Sequence, residues 1–264
     1  MLGRLSGWLA GYEGNWQEAE RTLRTRYDAN PDGMTEVQAL AVALVKLNRA
    51  DEAEQLMKEY AQRKHDRPEA WTLLGQFYLN RGSEKYLAQA SSAFTQASLL
   101  VPDYGPALRG LIEVQVRGNN RGMALSLCER YLTLQPDDVD ILYRKAALLV
   151  QDRNRLDEAL QTINRALQIS ERAEFLLARG AIHLAQEKFN EALKDLQRHA
   201  ELTGSTSAEE DTAMAEIYLA LHEKDLARQY YESAKQKAAK EQKTDTASLD
   251  RLGKRLEQES QQQP

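Results

Sequence analysis

Arg109, Glu113 and Arg117 are spaced by four in "RGLIEVQVR", which would set all three on one face of a helix. In such a row Glu113 would orient both arginines, and the guanidinium forks could grip a carboxylate bidentately. That is recognition chemistry, and the groups needed for catalysis are harder to assemble. His65, His183, His199 and His222 are scattered through the chain, and Cys128 is the one cysteine. There is no CxxC spacing, no HExxH, no GxSxG and no phosphate-cradling glycine loop. His183 and His199 both fall on inward-facing helical positions and could approach each other. Two imidazoles without a nearby cysteine or carboxylate make a poor metal site. Cys128 stands where a core side chain belongs, so a buried, inert thiol is expected. The chain reads as a non-enzymatic protein without metal or cofactor.

Composition narrows the partners. The 264 residues are 42% hydrophobic and 28% charged, with 35 Lys and Arg interspersed among 40 Asp and Glu, for a net charge of −5. No basic stripe of the kind that binds nucleic acid stands out. The opening "MLGRLSGWLAGYEGNWQEAE" lacks the apolar run of a secretory signal, and no segment approaches the roughly 18 apolar residues of a membrane helix. No membrane insertion and a cytoplasmic location are therefore expected.

The elements that would position these side chains come from an internal repeat. Ala19, Ala53, Ala90, Ala124, Ala159, Ala192 and Ala227 follow one another at steps of 34, 37, 34, 35, 33 and 35 residues. Four residues after each stands Leu23, Met57, Phe94, Cys128, Ile163, Leu196 or Tyr231, each able to fill a core. Pro31, Pro102 and Pro136 stand twelve after three of the alanines. Upstream lies a mostly small residue, Gly7, Ala41, Gly75, Ala146, Gly180 or Ala215, with Ile112 the exception. In "WTLLGQFY", Trp71, Leu74, Gly75 and Tyr78 occupy one helical face, which places Gly75 and Ala90 at a helix crossing.

This pattern resembles the tetratricopeptide repeat, W-x2-L-G-x2-Y, then A-x3-F, then P, at about 34 residues. The third copy matches best, with Trp71, Leu74, Gly75, Tyr78, Ala90, Phe94, Ala97 and Pro102. The resemblance implies an all-α, right-handed α-solenoid of about seven helix pairs over 1–241. Residues 242–264 would form a capping helix, marked by Leu249, Leu252 and Leu256, and a polar tail that frays. Extra residues are expected in the turns of the third copy, near "GSEKY", and the fifth, near "QDRNR". The connector "TGSTSAEED" should break one helix and cap the next. No break in the pattern marks a second domain. Met1 falls inside the first helix of the first copy, so that repeat is expected to be incomplete and the chain to be a piece of a longer protein.

The resemblance also implies a function. In the family the first helix of each repeat lines a concave groove that holds a peptide or a partner helix. By phase, the groove would be lined by Trp8 and Tyr12, then Gln38, Val42, Val45 and Lys46, then Thr72, Gln76, Leu79 and Asn80. Arg109, Glu113, Val116 and Arg117 follow, then Tyr143 with Arg144 beside it, then the apolar Leu177, Ala181 and Leu184. Lys46, Gln76, Asn80, Arg109, Glu113, Arg117, Tyr143 and Arg144 are the expected contacts, which favours an acidic protein or peptide partner. Chaperone-tail capture in this family needs asparagine at one repeat position, which in this chain holds Trp8, Val42, Gln76, Glu113, Ala147, Ala181 and Glu216, so that ligand is not expected. Two alternatives stand beside the scaffold: self-association through an open first repeat exposing Trp8 and Trp16, and the regulatory arm of a larger enzyme.

Overall fold

The computed structural model describes residues 14–240 and 247–261, and among them every long element is an α-helix. The helices are α1 (Trp16–Ala29), α2 (Met34–Lys46), α3 (Ala50–Arg63), α4 (Pro68–Asn80), α5 (Glu84–Leu100), α6 (Gly105–Arg117) and α7 (Arg121–Leu134). Then come α8 (Val139–Leu149), α9 (Leu156–Ile169), α10 (Ala173–Ala185), α11 (Phe189–Thr203), α12 (Ala208–Ala220), α13 (Lys224–Lys240) and α14 (Ala247–Gln261). Packing groups them into two compact units, 1–134 and 135–264. The architecture is that of an α-solenoid. Gly7, Trp8, Tyr12 and the end of the glutamine tail lie outside the described residues.

All seven repeat alanines are fully buried. A methyl group at the crossing lets two helix backbones approach, and the larger side chains four residues on fill the space beside it. In the third copy the approach is closer still. A Cβ on Gly75 would stand 2.7 Å from the Phe94 ring, and one on Gly110 would overlap the same ring from the next copy. Phe94 is therefore clamped between two glycines on α4 and α6. Gly110 makes good the small side chain that Ile112 does not supply.

The turn inside five of the seven repeats is set by one backbone position. Gly14, Asn48, Asn119, Glu187 and His222 each stand five residues before a repeat alanine, and each has a left-handed φ, between 54° and 81°. The next N–H closes the turn on a carbonyl five residues back: Arg49 on Leu44, Asn120 on Gln115, Lys188 on His183 and Glu223 on Tyr218, at 2.8–2.9 Å. These bonds satisfy carbonyls that a helix end leaves open.

The two insertions are absorbed differently. The extra residue of the fifth copy is taken up by a 3-10 turn at Arg153–Arg155, with the Asp152 side chain accepting from the Asn154 N–H. In the third copy the turn is no longer than usual. The three residues instead lengthen α5 to 17 residues, which corrects the expectation of an enlarged turn. Tyr86 holds this added helical turn by stacking on Tyr78, with ring centroids 5.9 Å apart.

The connector behaves as expected. Gly204 ends α11 in the left-handed conformation (φ 73°), and Ser207 opens α12 with a reciprocal capping box to Glu210. On α14, Leu249, Leu252 and Leu256 are buried. They cover the flank of α12 and α13, including Ala215, Leu219, Ala227 and Ala234.

Candidate functional site in the first unit

Helix α2 buries Val37, Leu40, Ala41 and Leu44 along one stripe, which leaves Gln38, Val42, Val45 and Lys46 on the opposite flank. Helix α4, opened by Pro68 in its first turn, buries Leu74, Gly75 and Tyr78 and turns Gln76 and Asn80 outward. Between the two flanks lies a groove of about 380 Å³. Its wall is apolar: Ala41, Val42, Val45, Met57, Leu73 and Phe77. Gln38, Lys46, Gln76, Asn80 and Arg81 complete the lining.

Lys46, Gln76 and Asn80, separated by up to 34 residues in sequence, thus meet at one site. The Gln76 amide donates to Asn80 Oδ1 at 3.0 Å, which orients both amides. Val42 and Val45 remain 41% and 37% exposed, an apolar surface at the groove. Phe77 and Arg81 were not expected here. Phe77 lies next to the phase positions, and Arg81 follows the end of α4.

Two expected lining residues do not reach the groove. Leu79 is buried at 2% exposure, and the Thr72 hydroxyl is turned back to the Pro68 carbonyl at 2.8 Å. Trp16 is not an open surface either. Its ring is half-buried against the core, with the Lys46 ammonium 5.9 Å from the ring centroid.

On α6 the expected row places Arg109, Glu113 and Arg117 along one helix. Arg117 Nε donates to Glu113 Oε1 at 2.6 Å, and Arg117 Nη1 donates to the Leu79 carbonyl at 2.7 Å. That second bond ties α6 to the end of α4, one residue from Asn80. Arg109 lies over Tyr131 of α7, 5.2 Å from the ring, and donates to its hydroxyl at 2.8 Å. Glu113 thus holds Arg117, and Tyr131 is one contact that holds Arg109.

In the second unit Tyr143 stacks on Phe175 of α10, with centroids 5.4 Å apart, and Arg144 is half-buried beside it on α8. Leu177 on α10 is 37% exposed and Ala181 is exposed. His183 and His199 each face a carboxylate, which corrects the expectation that none is near. His183 Nε2 is 3.8 Å from Asp195, and His199 Nδ1 is 2.9 Å from Glu210. Burial pushes the His183 pKa down, the Asp195 charge opposing this and Arg179 adding to it. Cys128 is fully buried. No helix among the described residues is long and apolar enough to cross a membrane.

Two family models described as tetratricopeptide repeat match residues 12–77 and 110–174. No curated protein matches the sequence. Among solved structures, a tetratricopeptide repeat protein of Parabacteroides merdae superposes with a TM-score of 0.60 at 16% identity, over 95% of each chain. PilW, a type IV pilus biogenesis factor, gives a TM-score of 0.62 at 15% identity over 78% of this chain and 96% of its own. YrrB, described as having an unusual peptide-binding site, gives 0.53 at 18% identity over 68% of this chain and 91% of its own. At these identities the likeness is one of fold.

Proposed function

From the fact that this chain belongs to the tetratricopeptide repeat family, we propose that it is a protein–protein interaction scaffold whose first unit holds an extended partner segment between α2 and α4. The observation that carries this is the groove itself, with Val42 and Val45 exposed on an apolar wall beside Gln38, Lys46, Gln76, Asn80 and Arg81. Its walls are helices packed on buried alanines, so the site exists before the partner arrives and the ordering cost falls on the partner. A volume of about 380 Å³ suits a few side chains of an extended segment better than a whole helix. YrrB, a fold relative described as peptide-binding, supports a peptide as the ligand type. Arg109, Glu113 and Arg117 extend this surface along α6, and in the second unit Tyr143 and Arg144 offer a contact of their own.

The test is quantitative capture from the native host by the immobilised chain. Val42→Asp combined with Val45→Asp places two charges on the wall and should remove the proteins that the wild type retains. Leu177→Asp, in the second unit, should keep them. Retention of the same proteins by the Val42/Val45 variant, with helicity intact, would sink the groove as the binding site.

A further inference from the structure

The residues lining the groove include two cations, Lys46 and Arg81, and no aspartate or glutamate, in a chain whose net charge is −5. Several other cations in this unit are neutralised: Arg26 by Glu36, Arg49 by Glu52, Lys58 by Glu54, Lys64 by Asp32 and Arg130 by Asp103, at 2.6–2.9 Å. Lys46 and Arg81 form no direct ion pair with any described residue, although the Arg81 charge reaches Glu54 and helps hold that carboxyl below its usual range. Aromatic rings hold them instead. Lys46 sits on Trp16, and Arg81 stacks 4.8 Å above Tyr86 while donating to its hydroxyl at 2.9 Å. A ring face orients a cation without cancelling its charge. Tyr86 belongs to the extra helical turn of α5, so the insertion in the third copy is what fixes Arg81 at the rim.

Resting on the groove reading above, we propose that the occupant is an acidic segment: an aliphatic or aromatic side chain flanked by aspartate or glutamate. The apolar side chain lies on Val42, Val45 and Phe77. The flanking carboxylates meet Lys46 and Arg81, where Arg81 can offer its guanidinium edge. The carboxylates are those of side chains, so a free C-terminus is not required. Lysine-flanked segments are turned away by the same two charges.

The test uses C-terminally amidated, fluorescein-labelled peptide pools with a core of mixed Leu, Ile, Val and Phe, flanked by Asp and Glu, by Ser, or by Lys. Fluorescence anisotropy is read with the full chain and with Lys46→Glu combined with Arg81→Glu, helicity being checked by circular dichroism. The wild type should bind the acidic pool roughly tenfold or more tightly than the serine pool, the gap closing as salt is raised. The reversed variant should lose that preference and gain the lysine pool, with Lys46→Gln/Arg81→Gln falling between. Equal binding of acidic and serine pools, unchanged by reversal, overturns the acidic class and leaves the groove standing. Failure of every pool also overturns it, and the Val42/Val45 capture experiment then judges the groove by itself.

Discussion

The same alanine-spaced repeat is locked in two physically different ways. Around α5 the lock is steric and apolar: the fully buried Phe94 ring is received by Gly75 on one side and Gly110 on the other. Around α12 it is polar. Asp211, 1% exposed, accepts from the Thr206 and Ser233 hydroxyls and from Lys237 at 2.6 Å, while the neighbouring Glu210 meets Ser207 and His199. A ring between glycines is held by contact over its whole surface, so it is sensitive to volume and indifferent to pH. A buried carboxylate is held by a few directional bonds, so it is sensitive to the loss of any one donor. A shared repeat period therefore does not imply a shared source of stability.

The contrast can be broken most sharply at Phe94. Phe94→Ala empties a closed cavity between backbones that cannot collapse past each other, and should cost about 3–5 kcal/mol. Urea unfolding followed by hydrogen exchange should show protection lost first in α4–α6. A cost below about 1 kcal/mol would mean that the ring is not the lock. Asp211→Ala should cost less, about 2–3 kcal/mol, because Lys237 is 30% exposed and can return to water while Thr206 and Ser233 lose their acceptor. Exchange should quicken across the α11–α12 connector and leave α4–α6 unchanged.

The smallest effect is a pH dependence confined to the second unit. The folded pKa of His183 lies below its ordinary 6.5, so the unfolded chain takes up the proton more readily. The stability tied to neutral His183 is therefore fully present above about pH 6.5 and is lost as the pH falls toward the lower folded value. Urea midpoints of wild type and His183→Gln, compared at pH 7.5 and 5.5, should differ in slope with pH, the variant being the flatter. Parallel slopes would remove His183 as the cause.

Part of the site was legible before the fold was known. Lys46, Gln76 and Asn80 line the groove at positions that the family resemblance assigned to it, once the repeat phase was read. Leu79 was misplaced by the same rule: it lies one residue from Asn80, at the edge of the groove-facing arc, and only packing decides to which side such a residue turns. The contact of Arg109 with Tyr131 was also hidden, since Tyr131 belongs to a helix whose lateral offset the row on α6 does not encode. Arg81 could not be read at all, being placed by Tyr86 in a helical turn that the sequence presents as an insertion.

By itself the sequence determined the helix pairs, their buried alanines and the stripe of the capping helix, because period and side-chain size act locally and repeat. Tertiary structure decided which cations met an aromatic ring in place of a direct carboxylate partner and which side chain filled each crossing. Those outcomes depend on distances between helices, and near Phe94 and Arg81 the distances were set by Gly110 and Tyr86, residues that no repeat position specifies.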